Sequence, residues 1–129
     1  YTTVEEAVRF YEETDVDCLA VAIGTVHGVY KGTPHIDYDR LDAIKKAIPV
    51  PIVLHGGSGL TDTDYIKLVE HGIHKINFVT AMTLAGANAD KEVAAATRKF
   101  QGTDVVNTLY QAEKAVVKHH IGVFGTQSI

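Results

Sequence analysis

The stretch 52-IVLHGGSGLTDTDYIKLVEHGIHKINFV-79 holds two short apolar segments separated by a helical pattern. Ile52, Val53 and Leu54 form a strand-length apolar run that stops at His55 and a glycine-rich turn, Gly56-Gly57-Ser58-Gly59. Thr61 or Asp62 can then cap a helix over about 62–71, with Ile66 and Val69 expected to face inward and Gly72 as its C-terminal stop. The second strand is expected at 74-HKINFV-79. A strand, a glycine turn, a helix and a strand with short joints make a βαβ unit, and such units build parallel sheets covered by helices.

Working outward, the same order recurs. Thr3 and Glu6 have capping-box spacing, and Val4, Ala7, Val8 and Tyr11 follow as a helical stripe. The run 18-CLAVAIG-24 has the length and continuity of a parallel strand buried on both faces, which makes Cys18 a core residue. A loop, 25-TVHGVYKGTPHID-37, leads to a helix over about Tyr38–Ile48, with Leu41, Ile44 and Ile48 on one face and Pro49 and Pro51 ending it. After Thr80 a further helical pattern carries Met82, Leu84 and Ala85. The last helix runs from Thr103 to about His120, with a stripe of Val105, Val106, Leu109, Ala112 and Val116. The fold class is therefore α/β, with parallel strands near 18–24, 52–55 and 74–79. Three strands leave open edges and a small core, so the chain reads as the C-terminal part, 1–129, of a single (β/α)₈ barrel domain whose earlier units precede Tyr1. A doubly wound sheet is the structural alternative.

Composition narrows the function classes. The 129 residues carry 12 basic and 16 acidic side chains, a net charge of −4, and no basic run that would suit a nucleic-acid partner. No apolar stretch approaches the ~20 residues of a membrane span. With one cysteine and no signal-peptide layout, a cytoplasmic location is expected.

Chemistry-bearing residues gather at the strand ends. The first strand feeds Gly24-Thr25-Val26-His27-Gly28, the second ends at His55-Gly56-Gly57, and the third ends at Asn77-Phe78-Val79-Thr80. Neighbouring strands lie ~4.8 Å apart, so His27 and His55 can aim at one point, as a zinc site requires. The glycines bare their backbone N–H groups, and the segment after the third strand opens a helix N-terminus, which favours anions. On spacing alone, a metal pair and two hydrogen-bonded structural histidines remain equally good readings. His35, His71, His74, His119 and His120 read as surface or capping residues. Lys31 reads as solvated, and Lys75 is placed to pair with a carboxylate.

The strings 22-AIGTVHGVYKG-32, 53-VLHGGSGL-60 and 74-HKINFVT-80 together resemble the class II, zinc-dependent ketose-bisphosphate aldolases, through nearly the whole chain and in the C-terminal part of those enzymes. The resemblance implies a (β/α)₈ barrel, a homodimer or homotetramer, and reversible aldol cleavage of a fructose- or tagatose-1,6-bisphosphate to dihydroxyacetone phosphate and glyceraldehyde 3-phosphate, with zinc stabilising the enediolate. It implies that His27 and His55 are two of three zinc ligands. By the same resemblance Gly28 touches the ketose phosphate, Gly56, Gly57 and Ser58 form the phosphate turn, and Asn77, Phe78, Val79 and Thr80 form a second substrate segment. Val79 stands where many fructose-type members carry Asp, similar to the tagatose-type branch, which leaves the sugar open. A sodium or potassium ion near the phosphate turn is also implied. The third zinc histidine, the acidic proton donor and a mobile-loop glutamate are expected before Tyr1, so that residues 1–129 alone are expected to be inactive. Two other functions stay open: a metal-free phosphate-binding barrel isomerase or synthase, and a non-catalytic half-barrel binding module.

Overall fold

The structure, a computed structural model, describes residues 1–28, 30–96 and 102–127. Its contacts divide into two compact units, Tyr1–Phe78 and Val79–Ile129.

The first unit alternates helices and strands. Helix α1, Val4–Thr14, starts at the expected capping box: the Glu6 amide donates to Thr3 Oγ1 at 3.2 Å, and the Thr3 amide donates to Glu6 Oε2 at 2.8 Å. Strand β1, Leu19–Ala20, follows. Helix α2, Tyr38–Ala47, is capped by Asp37, whose carboxylate accepts from the Arg40 amide and from Arg40 Nε, each at 2.9 Å. The same arginine ties α2 to the N-terminus by donating to the Thr2 carbonyl at 2.9 Å. Strand β2, Ile52–Leu54, leads through the glycine turn to helix α3, Asp62–Glu70, which Thr61 and Asp64 cap reciprocally. Gly72, at φ +98°, turns the chain into strand β3, Ile73–Ile76.

The sheet order is β1-β2-β3, all parallel, with Leu19 opposite Ile52, Ile52 opposite Ile73 and Leu54 opposite Ile76. The register shifts between Ile52 and Val53. Each helix returns the chain to a neighbouring strand, the arrangement expected of a barrel wall. The core is Ile23, Leu41, Ile44, Ile48, Ile52, Leu54, Tyr65, Leu68 and Ile73, all buried. Leu41, Ile44 and Ile48 thus fill the face predicted for them.

In the second unit, helix α4, Thr80–Ala96, packs on helix α5, Gly102–Val123. Gly86 allows the approach: a Cβ there would lie 3.1 Å from Leu109 Cγ and 3.3 Å from a Glu113 carboxylate oxygen. Among the described residues, no helix is long and apolar enough to cross a membrane.

Several expectations shift. The run 18–24 is not buried on both faces: Val21 and Ile23 are buried, whereas Cys18, Ala20 and Ala22 are exposed. Only alternate side chains face the helices, and Cys18 is not a core residue. In α3 the inward pair is Tyr65 and Leu68, 1% and 0% exposed, while Ile66 and Val69 are 46% and 36% exposed. The helix is rotated by one residue because Tyr65 can bury its ring and still place its hydroxyl on a buried carbonyl. In α5, Val106 lies on an outer face and is 69% exposed, despite its place in the predicted stripe. Strand β3 begins at Ile73 and ends at Ile76, although the Asn77 amide extends the ladder with a 2.8 Å bond to the Leu54 carbonyl.

Candidate active site

The two histidines meet. His55 directly follows β2, and His27 lies in the loop after β1. Their ring centres are 5.5 Å apart with the planes perpendicular. Both rings, with Ala20, Val21, Ala22 and Thr25, line a cavity of about 250 Å³. Two imidazoles on one tetrahedral zinc have nitrogens ~2 Å from the ion and ring centres ~1 Å farther out, so their centres stand ~5 Å apart. The observed pair fits that geometry. Among the described residues no group of three or more His, Cys, Asp or Glu side chains that could hold a metal ion occurs.

The loops carrying these rings are bolted together by polar side chains. Thr25 Oγ1 donates to the His55 carbonyl at 2.7 Å. The Tyr30 hydroxyl accepts from the Val26 amide at 3.2 Å and donates to the Gly56 carbonyl at 2.8 Å. Burial raises the Tyr30 phenol above its ordinary pKa, against the opposing effect of the Val26 amide. Gly24, at φ +115°, lets the first loop pass against the His35 carbonyl, where a Cβ would come within 2.0 Å of the oxygen.

The glycine turn is held from below. The Gly57 amide donates to the Asn77 carbonyl at 3.4 Å, and the Tyr65 hydroxyl, from α3, donates to the Gly57 carbonyl. Ser58 is buried within this turn. Tyr65 has its phenol pushed up to about 12, first by burial, with Tyr30 and Asp62 adding to the shift. The folded state therefore holds the proton of Tyr65 more tightly than the unfolded chain does. This contribution to stability is complete below the ordinary tyrosine value of about 10, and it is lost as pH rises toward about 12. Denaturant midpoints recorded across that alkaline window are expected to fall less for Tyr65→Phe than for the parent chain.

Asn77 joins the third strand to the second. Its Nδ2 stands 2.9 Å from His55 Nε2, and its Oδ1 accepts from Lys75 Nζ. Lysine can only donate, so the Asn77 oxygen faces Lys75 and its NH₂ faces His55. By this network His55 Nε2 is assigned as an acceptor, with the ring proton on Nδ1. A lone pair of the kind a metal takes is thus engaged by Asn77. Lys75 reaches an amide rather than the carboxylate expected from sequence. Phe78 packs edge-on against Tyr65, with ring centres 6.4 Å apart. Val79 and Thr80 open the second unit, where the Val79 carbonyl accepts from the Thr83 amide at 3.1 Å.

The first unit therefore brings His27, His55, Gly56, Gly57, Ser58 and Asn77 to one end of the sheet, with Gly28 beside His27 at φ +89°. Sequence reasoning passed over Thr25, Tyr30 and Tyr65, and weighed Lys75 only as a partner for a carboxylate. The Lys75–Asn77 spacing of two was the available signal, because residues i and i+2 of a strand share a face. Of the other histidines, His71 is the C-cap of α3 and bonds Asp42 at 2.9 Å, and His120 bonds the Val116 carbonyl at 2.8 Å.

Comparison with known proteins bears on the fold and the family. The family model described as fructose-bisphosphate aldolase class-II matches residues 1–128. The crystal structure of the YdjI aldolase from Escherichia coli K12 is similar at 32% identity and a TM-score of 0.84, over 98% of this chain and 45% of that one. A protein from Coccidioides immitis, assigned as a fructose-1,6-biphosphate aldolase, is similar at 28% identity and a TM-score of 0.85, over 96% and 43%. The fructose-bisphosphate aldolase of Campylobacter jejuni, at 24% identity and a TM-score of 0.74 over 97% and 45%, shares the fold. The chain spans less than half the length of these structures. With its parallel three-stranded sheet and covering helices, it is a partial (β/α)₈ barrel. The chain belongs to the class-II fructose-bisphosphate aldolase family.

Proposed function

We propose that this chain supplies the late-strand half of an aldolase active site that reversibly cleaves a ketose 1,6-bisphosphate, of the fructose or tagatose type, into dihydroxyacetone phosphate and glyceraldehyde 3-phosphate. The observation that carries the reading is the perpendicular histidine pair, 5.5 Å between ring centres, at the ends of adjacent parallel strands beside a glycine turn.

His27 and His55 would hold zinc, which when bound supplies Lewis-acid polarisation of the ketose oxygens. Gly56, Gly57 and Ser58 bind the phosphate through a turn without obstructing side chains, and that grip sets the distance from the phosphate to the scissile bond. Gly28, beside His27, offers its backbone to the ketose phosphate. Asn77, released from His55 when zinc takes that nitrogen, offers its amide to the substrate hydroxyls, and Phe78, Val79 and Thr80 belong to the same second substrate segment. Proton donation is assigned to acids in the complementary half of the barrel, which also completes the zinc ligands. A monovalent cation near the phosphate turn, a homo-oligomeric assembly and a cytoplasmic setting belong to the same reading.

The test uses the complete barrel polypeptide that carries this segment. It is expected to contain stoichiometric zinc, to lose cleavage on chelation and to recover it on zinc addition. Fructose- and tagatose-1,6-bisphosphate assayed side by side assign the sugar. A metal-free phosphate-binding barrel is the second reading, favoured by the Asn77–His55 hydrogen bond, which occupies a ligand nitrogen. Absence of zinc together with chelator-insensitive turnover would establish it instead.

A further inference from the structure

One hydroxyl joins the flanks of both site histidines. Val26 directly precedes His27, and Gly56 directly follows His55. The Tyr30 phenol oxygen lies between them, accepting from the Val26 amide at 3.2 Å and donating to the Gly56 carbonyl at 2.8 Å. Chemistry fixes the direction of each bond, because a carbonyl only accepts and an amide N–H only donates. The single phenol proton is therefore committed to Gly56, and a lone pair to Val26. The His27 side needs such a tie. Between β1 and α2 the described residues form neither helix nor strand, and the Asp37 amide closes the base of this loop on the Ile23 carbonyl at 2.9 Å.

The surroundings of Tyr30 are closely fitted. Gly59, at φ +93°, leaves room for the ring: a Cβ there would lie 3.0 Å from Tyr30 Cδ2 and 3.4 Å from Cε2. The ring thus rests on one glycine of the turn while its hydroxyl bonds the carbonyl of another. Thr25 adds a second tie, from its own side chain to the His55 carbonyl at 2.7 Å. Of the two, Tyr30 is the one that grips a backbone group of the loop. It therefore fixes the Thr25–Val26 peptide, one residue ahead of His27.

We infer that Tyr30 is a positioning residue for the metal pair: its hydroxyl holds the His27 loop against the His55 turn, so that the two rings keep the spacing of one ion before an ion is bound. The inference rests on the zinc reading above. It goes beyond it by assigning part of the metal affinity to a side chain that is not a ligand. Without the hydroxyl the loop spends only a fraction of its time at the 5.5 Å ring spacing, and apparent affinity falls by that fraction. Tyr30→Phe keeps the ring on Gly59, so the loss falls on the tie alone.

The experiment compares the complete barrel polypeptide with its Tyr30→Phe variant. Each is stripped of metal, and its affinity for zinc is measured by competition with a chelating dye. Cobalt is then bound in place of zinc, and its visible absorption is recorded at saturation. Tyr30→Phe is expected to weaken zinc roughly tenfold, the effect of a loop that holds the binding spacing about a tenth of the time. The saturated cobalt spectrum should match the parent's, because the ligands are the same. A changed spectrum would overturn the inference, since Tyr30 would then alter the ligand set rather than its readiness. Zinc affinity within about twofold of the parent's would overturn the role of Tyr30 and leave the zinc reading intact. A parent protein that binds no zinc would overturn that reading, and the inference with it. Leu68→Val, a change on the buried face of α3, separates positioning from general destabilisation. It is expected to leave zinc affinity unchanged, and an equal weakening there would refute the specific role of Tyr30. If Tyr30→Phe does not fold, the metal-free parent decides by NMR hydrogen exchange. The Val26 amide is expected to be protected, and exchange at the rate of an unstructured peptide refutes the inference.

Discussion

Replacing His55 with alanine is expected to remove zinc and turnover together while leaving the fold in place. The ring is exposed and its hydrogen-bond partner Asn77 becomes free to bond water, so thermal stability should change little. The activity should fall by a factor on the order of 10³ or more, since Lewis-acid stabilisation is worth several kcal/mol and each 1.36 kcal/mol is tenfold in rate. Metal analysis of the purified variant beside a cleavage assay is the check. Zinc retained at the parental stoichiometry, or activity within tenfold of the parent, counts against the assignment. His27→Ala is expected to act in the same direction, because the two rings share one cavity.

The second large effect is structural. Gly56→Ala should cost ~3 kcal/mol or more of folding stability. Part of this, ~1–2 kcal/mol, comes from forcing an L side chain into the left-handed region. The rest comes from overlap: at φ +66° the new Cβ would sit 2.5 Å from the Val26 carbonyl oxygen and 2.6 Å from its carbon, and neither backbone atom can rotate away. Gly28→Ala is the matched control. Its φ of +89° is equally unfavourable, but a Cβ there meets nothing within 4 Å, so only the conformational part should appear. Urea midpoints of both variants separate the contributions, and equal losses would mean that packing against Val26 has been overestimated. Gly28→Ala should then be the more informative variant for catalysis, since it alters the histidine loop without dismantling it.

Much of this fold is written in local chemistry. Capping pairs such as Thr3 with Glu6 mark helix starts because short polar side chains satisfy the first amides, and those signals need no tertiary context. The parallel strands follow from apolar runs separated by helical patterns. Burial was less legible. Ile66 and Val69 are the more apolar residues of α3, but Tyr65 lies deeper because the Gly57 carbonyl rewards its hydroxyl, and that carbonyl is supplied by a turn eight residues away. Cys18 misled for a related reason: a continuous apolar run does not say whether both faces of its strand are covered. In the site, the histidines and glycines were visible as residue types with an unusual arrangement. Their supports Thr25 and Tyr30 were not, because each acts through a contact that only the sheet order creates.

The unequal lengths of the strands give the two histidines different clocks. All three residues of strand β2 are buried, so His55 stands on backbone that opens rarely. Strand β1 pairs over only Leu19 and Ala20, and His27 sits several residues beyond it, in a loop tethered by side-chain hydrogen bonds. Brief openings of that loop cost far less than opening the sheet. An ion shared by the two rings would therefore come and go by way of His27, with His55 as the standing post. Its residence time would be governed by the tethers Thr25 and Tyr30, although neither of them is a ligand.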